Sequence, residues 1–489
     1  MSFDLVNSLF ALLIVAILAG TVVLYALDVM QNEDAIRRNY PVIGRFRGLF
    51  TTLGEFFRQY FFAMDREELP FNRAERDWVD HASDGGKSTV AFGSTKQMSA
   101  VGNAIFVNAS FPPLAHEFEA AHPTVIGPDA DQPFHPRSLF NISGMSYGAL
   151  SAPAIEALSR GAAKAGCWLN TGEGALAPMH EAADADLVFQ IGTAKYGVQG
   201  DGATMDWDKL RTLAANPRIK MFELKLAQGA KPGKGGILPA RKINEDIAQV
   251  RGIPMGQASI SPSRHTDIAN HSELHAMIAR MKAVTGKPVG IKIVVSSTEL
   301  IDGLSQSAAA LGTEGLPDFI TVDGGDGGTG ASPMPLMDNV GLPLREALVL
   351  AVDALNRHGL RERIRVIASG KLVTPSGVAL ALATGADFVV SARGFMFALG
   401  CIQAMKCNKN TCPTGITTHN PRLQEGLDPT DKAERVAQYV ASVNEDVATI
   451  AHSCGVPNPQ DLARKHVRIV QPDGTSRSFA DLYSAGSFN

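Results

Sequence analysis

Three of the five cysteines in this 489-residue chain, Cys401, Cys407 and Cys412, fall within the stretch GCIQAMKCNKNTCPTG. Thiolates spaced C-x5-C-x4-C can share one metal centre. Structural zinc takes four ligands, and the nearest candidate for a fourth is His419. A cubane iron–sulfur cluster also takes four thiolates, whereas a cluster lacking one iron takes three. Free thiols on an irregular loop are the alternative that spacing alone leaves open. Cys167 and Cys454 stand apart and read as ordinary buried cysteines. An odd, scattered set argues against a disulfide framework and for a reducing compartment.

A second concentration of chemistry is KLAQGAKPGKGGILP, residues 225–239, which sets Lys225, Gln228, Lys231 and Lys234 among four glycines and two prolines. A long loop bearing cations binds anions, although a solvated surface loop has the same composition. Lys225 lies inside an apolar strand pattern, where a charge needs a reason. In GGDGGTGASP (324–333), Gly324, Gly325, Asp326, Gly327 and Gly328 allow close backbone approach to a ligand. Two further turns, SGK and SARG, offer the amide of Gly370 and the amides, hydroxyl and charge of Ser391, Ala392 and Arg393.

These residues sit at the ends of short apolar runs. Eight runs read as strands: 138–146, 166–173, 187–193, 221–229, 289–297, 318–325, 365–370 and 387–394. Amphipathic segments such as SELHAMIARMKAVTG and LREALVLAVDALNRHG alternate with the later ones, which implies a parallel sheet. Eight units predict an α/β fold, a closed (β/α)8 TIM barrel over 136–429. The competing open sheet would show GxGxxG at an early strand end, and none is present. In a barrel, the carboxyl ends of strands carry the site, and strands seven and eight bind phosphate. Residues 430–489 read as a helical tail.

The amino terminus differs from the rest. Leu9–Leu27 is uncharged and, at 1.5 Å per residue, spans roughly 28 Å, the thickness of a bilayer core. A transmembrane helix is expected over 5–28, with a cleaved signal peptide as the alternative. Arg37, Arg38, Arg45 and Arg47 follow it, which predicts a single-pass cell-membrane anchor with a cytoplasmic body. In the lead-in, 29–135, arginine-and-phenylalanine stretches either lie on the membrane surface or pack on the barrel; packing on the barrel is expected. The net charge of −4 gives no reason to expect nucleic acid as a partner.

The stretches SGMSYGALS (143–151), NTGEG (170–174), KLAQGAKPGKGGILP, GGDGGTGASP and GCIQAMKCNKNTCPTGI, in this order, resemble the synthase domain of glutamate synthase. The resemblance covers about 136–425. It implies an FMN-dependent barrel in which Cys401, Cys407 and Cys412 hold a [3Fe–4S] cluster beside the flavin. It places the FMN phosphate at Gly370 and Ser391, the flavin edge at Met145 and Ser146, and Lys292 near the flavin. It assigns 2-oxoglutarate to Lys231 and Arg251, with Lys225 and Gln228 close by. Two departures fall on the substrate side: GEGGED reads GEGALA here, replacing an acidic residue with Leu176, and Ile237 replaces a glutamine. The family's amino-terminal amidotransferase cysteine and its carboxyl-terminal β-helix also have no counterpart. The expectation is therefore reductive amination of 2-oxoglutarate or a related oxo acid or imine. Ammonia or an amine would come from solution or a partner subunit, and the electron donor is unnamed. A membrane electron-transfer module is the alternative. A barrel of the inosine-monophosphate-dehydrogenase type would need a cysteine soon after the strand-six loop, and none follows until Cys401.

Overall fold

Short runs of β-branched and aromatic residues, each closed by glycine or a small polar residue, make the barrel staves. The computed structural model describes residues 3–31, 33–118 and 124–483; short pieces of the lead-in and the last six residues of the tail lie outside the described residues. The strands are β1 (Phe140–Ile142), β2 (Leu169–Asn170), β3 (Leu187–Ile191), β4 (Ile219–Lys225), β5 (Val289–Val294), β6 (Phe319–Asp323), β7 (Arg365–Ser369) and β8 (Phe388–Ser391). All pairs are parallel and follow sequence order, and β8 closes on β1 through Val389 opposite Phe140. The eight expected strands are therefore the eight strands of a closed barrel.

Large apolar side chains fill its amino-terminal end. Trp168, Val188, Met221, Phe319, Ile367 and Phe388 cluster there with Ile126 and Phe134, which bridge each other just ahead of β1. Above this plug lies a polar layer. The buried Glu223 carboxylate accepts from Asn170 Nδ2 at 2.9 Å, Gln190 Nε2 at 2.6 Å and Thr321 Oγ1 at 2.5 Å.

The carboxyl-terminal helix Pro429–Ser453 packs on helix Ala152–Ala165 and on helix Pro375–Thr384. Tyr439 is fully buried, donates to the Val373 carbonyl at 2.8 Å, and meets Phe140 and Phe395 edge-on. The tail is not wholly helical. Val467–Val470 and Ser476–Ser478 join Ala104–Phe106 in an antiparallel sheet. Runs of three or four residues are too short to show a period. Val467–Val470 and Ser476–Ser478 pair locally as a hairpin across Asp473 and Gly474, whereas the third strand, Ala104–Phe106, lies more than 350 residues upstream of its partner.

Two compact units are present, Met1–Arg76 and Asp77–Asn489. In the first, helix Phe3–Met30 is long and apolar enough over Asp4–Met30 to cross a membrane or to act as a signal sequence.

Close packing of Pro429–Ser453 on Ala152–Ala165 depends on Gly161. A Cβ there would overlap Val436 and stand 2.9 Å from the Ala433 carbonyl oxygen. Gly161→Ala should gain about 1 kcal/mol of helix propensity but lose about 1–3 kcal/mol to overpacking. A lowered urea midpoint is the expected result; an unchanged or raised midpoint would contradict the packing.

Candidate active site

Alternation along β4 points Met221, Glu223 and Lys225 to the same side, running from plug to polar layer to mouth. At the mouth, Lys225 Nζ lies 3.1 Å from Glu173 Oε2 and donates to Gln228 Oε1 at 2.8 Å. Lys231, buried, makes no side-chain hydrogen bond among the described residues, yet its ammonium interacts with Glu173. Burial pulls Lys231 down to about 8, against the pull of Glu173. Burial also opposes ionisation of Glu173, but Lys225, Lys231 and Arg251 override it and hold the carboxyl at about 2.

Arg251 is buried against the turn after β1. It donates to the Tyr147 carbonyl at 2.8 Å and to Ser146 Oγ at 3.4 Å, and its guanidinium lies 5.1 Å from the Tyr196 ring centroid. Its Nε has no hydrogen-bond partner among the described residues. The turns after β1 and β2 press together here. Gly172 has φ +66°, and a Cβ on it would overlap the Ser146 backbone, so only glycine fits. Met145 is buried beside this contact.

The glycine loop after β6 is tied to the cation loop. Gly229 N donates to Asp323 Oδ2 at 2.9 Å, Ala230 N to the Gly325 carbonyl at 3.0 Å, and Gln228 Nε2 to the Gly328 carbonyl at 3.2 Å. Asp323 also pairs with Lys292 at 3.4 Å, both of them buried. Gly324 N donates to the Ser369 carbonyl and Gly327 N to the Gly324 carbonyl, which folds the loop tightly over β7. Asp326 Oδ1 accepts from Leu344 N at 3.0 Å, at the start of helix Leu344–Arg357. At the ends of β7 and β8, the backbone N–H groups of Gly370, Lys371, Ala392 and Arg393 find no acceptor among the described residues. Ser391 Oγ accepts from Gly394 N at 3.2 Å.

The cysteine loop borders both regions. Arg393 donates to the Thr329 carbonyl at 2.8 Å and brings Nη1 to 3.9 Å from Cys407 Sγ. Lys242, buried, donates to the carbonyls of Ala149 at 2.8 Å and Cys407 at 3.3 Å. His419, the nearest candidate for a fourth ligand, instead bonds the Gly148 carbonyl at 2.9 Å. Burial raises the Cys401 thiol to about 11. Burial also opposes ionisation of Cys412, but hydrogen bonding led by the Thr414 hydroxyl, 3.4 Å from its sulfur, holds it below its ordinary value. Among the described residues, no three His, Cys, Asp or Glu side chains converge as they would on a single ion. Cys167 and Cys454 are buried elsewhere.

Three residues of this site escape a reading by motif. Glu173 lies inside NTGEG, and its signal is a lone carboxylate at a strand end with cations to answer. Asp323 ends β6 directly before two glycines, which is a strand-end position. Lys242 carries no local signal, because its partners are a turn some ninety residues upstream and a loop more than 160 residues downstream.

A family profile described as the conserved region in glutamate synthase matches residues 99–457. The glutamate synthase large subunit-like protein YerD of Bacillus subtilis is 37% identical over 94% of this chain and 95% of its own length. The archaeal-type glutamate synthase [NADPH] of Thermotoga neapolitana is 33% identical, over 64% of this chain and 59% of that protein. Among solved structures, the flavin-binding domain of baker's yeast flavocytochrome b2 aligns over 80% of this chain and 78% of its own, at 13% identity and a TM-score of 0.45. The barrel with its glycine, cation and cysteine loops thus belongs to the glutamate synthase family.

The Glu173 carboxyl generates a pH test. Its folded value of about 2 lies below the ordinary 4.5, so its stabilisation is complete above about 4.5 and is lost as pH falls toward 2. Glu173→Gln should unfold more readily than the parent at neutral pH, with a gap that narrows as the pH is lowered through that window. Urea midpoints of both proteins at several pH values measure it, and a gap independent of pH would contradict the assignment.

Proposed function

We propose that this chain is an FMN- and iron–sulfur-dependent oxidoreductase that reductively aminates 2-oxoglutarate, or a related oxo acid or imine, to an amino acid. Family membership supports the reaction type. One observation carries the substrate class: Lys225, Lys231 and Arg251 surround a single carboxylate, Glu173, at the barrel mouth. Three cations facing one carboxylate suit a ligand that brings further carboxylates.

The residues fit both cofactors. The N–H groups of Gly370, Lys371, Ala392 and Arg393 at the ends of β7 and β8, without an acceptor among the described residues, would cradle a phosphate. Met145 and Ser146 would border the flavin ring, with Lys292 in the mouth below. The thiols of Cys401, Cys407 and Cys412, with Arg393 and Lys242 nearby, suit a multi-iron cluster bridged by its own sulfide. When bound, the two groups supply one-electron entry and hydride transfer. The chain's own part is to bind and orient. Lys231 meets a substrate carboxylate. Lys225, held by Glu173 and Gln228, adds positive charge beside it. Arg251 pins the turn after β1 and offers its unspent Nε. Leu176 and Ile237, both part-exposed, replace polar contacts with apolar ones, which weakens binding relative to a fully polar site. Ammonia or an amine enters from solution or from a partner subunit, and electrons come from an external donor.

Helix Phe3–Met30 anchors the chain by a single pass, and the arginines that follow it put the barrel on the cytoplasmic side. That helix also favours a second reading, a membrane electron-transfer module that makes no amino acid.

Purified without oxygen, the protein should hold FMN and about three irons per chain. Cys407→Ala should lose the iron and keep the flavin; stoichiometric zinc would contradict the proposal. Oxo acids supplied with ammonia or amines should reoxidise the reduced flavin, and failure of every pair tried would favour the electron-transfer reading. Because Lys231 gives up its proton near 8, 2-oxoglutarate affinity should fall as pH rises through that value. Lys231→Met should bind about tenfold more weakly at pH 7, by the loss of roughly 1.5 kcal/mol or more in one charge-assisted bond, and should lose that pH limb. An unchanged alkaline limb in the variant would assign it to another group.

A further inference from the structure

The amino-terminal unit holds a second apolar surface. Helix Gly44–Phe57 runs on into a π-helical turn, Arg58–Phe62. Phe46, Leu49, Phe50, Leu53, Phe57 and Tyr60 recur at steps of three and four, which puts them on one face. That face is open: Phe46 is 50% exposed, Phe50 66% and Tyr60 53%. A Cβ at Gly48 or Gly54 would meet nothing within 4 Å. Between Ala35 and Phe62 the sequence holds five arginines and one carboxylate, Glu55.

The position of this helix is set by one buried carboxylate. Asp28, in the last turn of the apolar helix Phe3–Met30, is 1% exposed. It accepts from Val42 N and Arg45 Nε, each at 2.9 Å, and pairs with Arg45 Nη2 at 2.7 Å. The chain therefore turns back at the end of the apolar helix, and the amphipathic helix starts at the level where that helix stops.

We propose that Gly44–Phe62 is an interfacial helix that lies in the headgroup layer of an anionic phospholipid bilayer, on the side where the Phe3–Met30 helix ends. The reading rests on that helix being a membrane span. Continuity with the span brings the stripe to the headgroup level, where phenylalanine and tyrosine partition well. The arginine excess matches an anionic surface. A second copy of the chain would bring the same positive charge to the contact, which disfavours it as the occupant.

The test uses the full chain in vesicles of phosphatidylcholine and phosphatidylglycerol whose acyl chains carry bromine, a short-range quencher of tryptophan. Three variants are compared, Phe50→Trp on the stripe, Thr51→Trp on the opposite face and Val15→Trp in the span, after subtraction of the three native tryptophans. Phe50→Trp should be quenched about twofold or more beyond Thr51→Trp, and less so when phosphatidylglycerol is omitted. Equal quenching at positions 50 and 51 overturns the proposal, as does an unquenched Phe50→Trp in a protein that proves dimeric. If Val15→Trp is quenched and Phe50→Trp is not, the interfacial helix fails and the anchor stands; if neither is quenched, both fail.

Discussion

One carboxylate, Glu223, ties four barrel strands together. It lies on β4 and draws hydrogen bonds from β2, β3 and β6 through Asn170, Gln190 and Thr321. A buried carboxylate lacking such donors would be strongly destabilising, so these strands hold their relative heights or the barrel loses more than it gains. The same contact separates the two ends of the barrel. Met221 lies below it in an apolar plug, and Lys225 lies above it in a charged mouth. Stability and chemistry are thereby assigned to opposite ends of one set of strands.

Above Glu223 the loops depend on one another. The loop after β4 donates to Asp323 and to the carbonyls of Gly325 and Gly328, so the cation loop and the glycine loop form one layer. Arg393 joins that layer to the cysteine loop, and Lys242 joins the cysteine loop to the turn after β1. The cation, glycine and cysteine loops built this way share their supporting bonds, and a change in one loop is felt by the others. The cations balance in the same manner. Glu173 feels three of them and supplies their local countercharge.

Much of this was legible in the chain. The barrel followed from eight apolar runs closed by small residues, because a strand buried on both faces has no other composition available. The charge at Lys225 stood out because it interrupts such a run. Asp326 was less transparent. It sits in a glycine loop that looks made for a ligand, yet its carboxylate accepts from Leu344 N at the start of helix Leu344–Arg357. Local sequence does not tell a ligand-facing aspartate from one bonded to a helix start, since both occupy turns. The small sheet that joins residues 104–106 to the tail was hidden for a different reason: strands of three or four residues carry no readable period, and although the two tail strands pair as a local hairpin, the pairing with 104–106 spans most of the chain.

Periodic and local patterns in the chain were enough for the barrel, the apolar amino-terminal helix and, through long ordered motifs, the family. The partners of the buried charges came from the folded barrel alone. Glu173 against Lys225, Asp323 against Lys292, Arg251 against the turn after β1, and Lys242 against Cys407 are pairs between segments far apart in the chain. Hydrophobic burial is non-directional and leaves a repeating trace along the sequence. A buried ion pair or hydrogen bond depends on distances of about 3 Å between segments brought together only by the closed barrel, and it leaves no such trace.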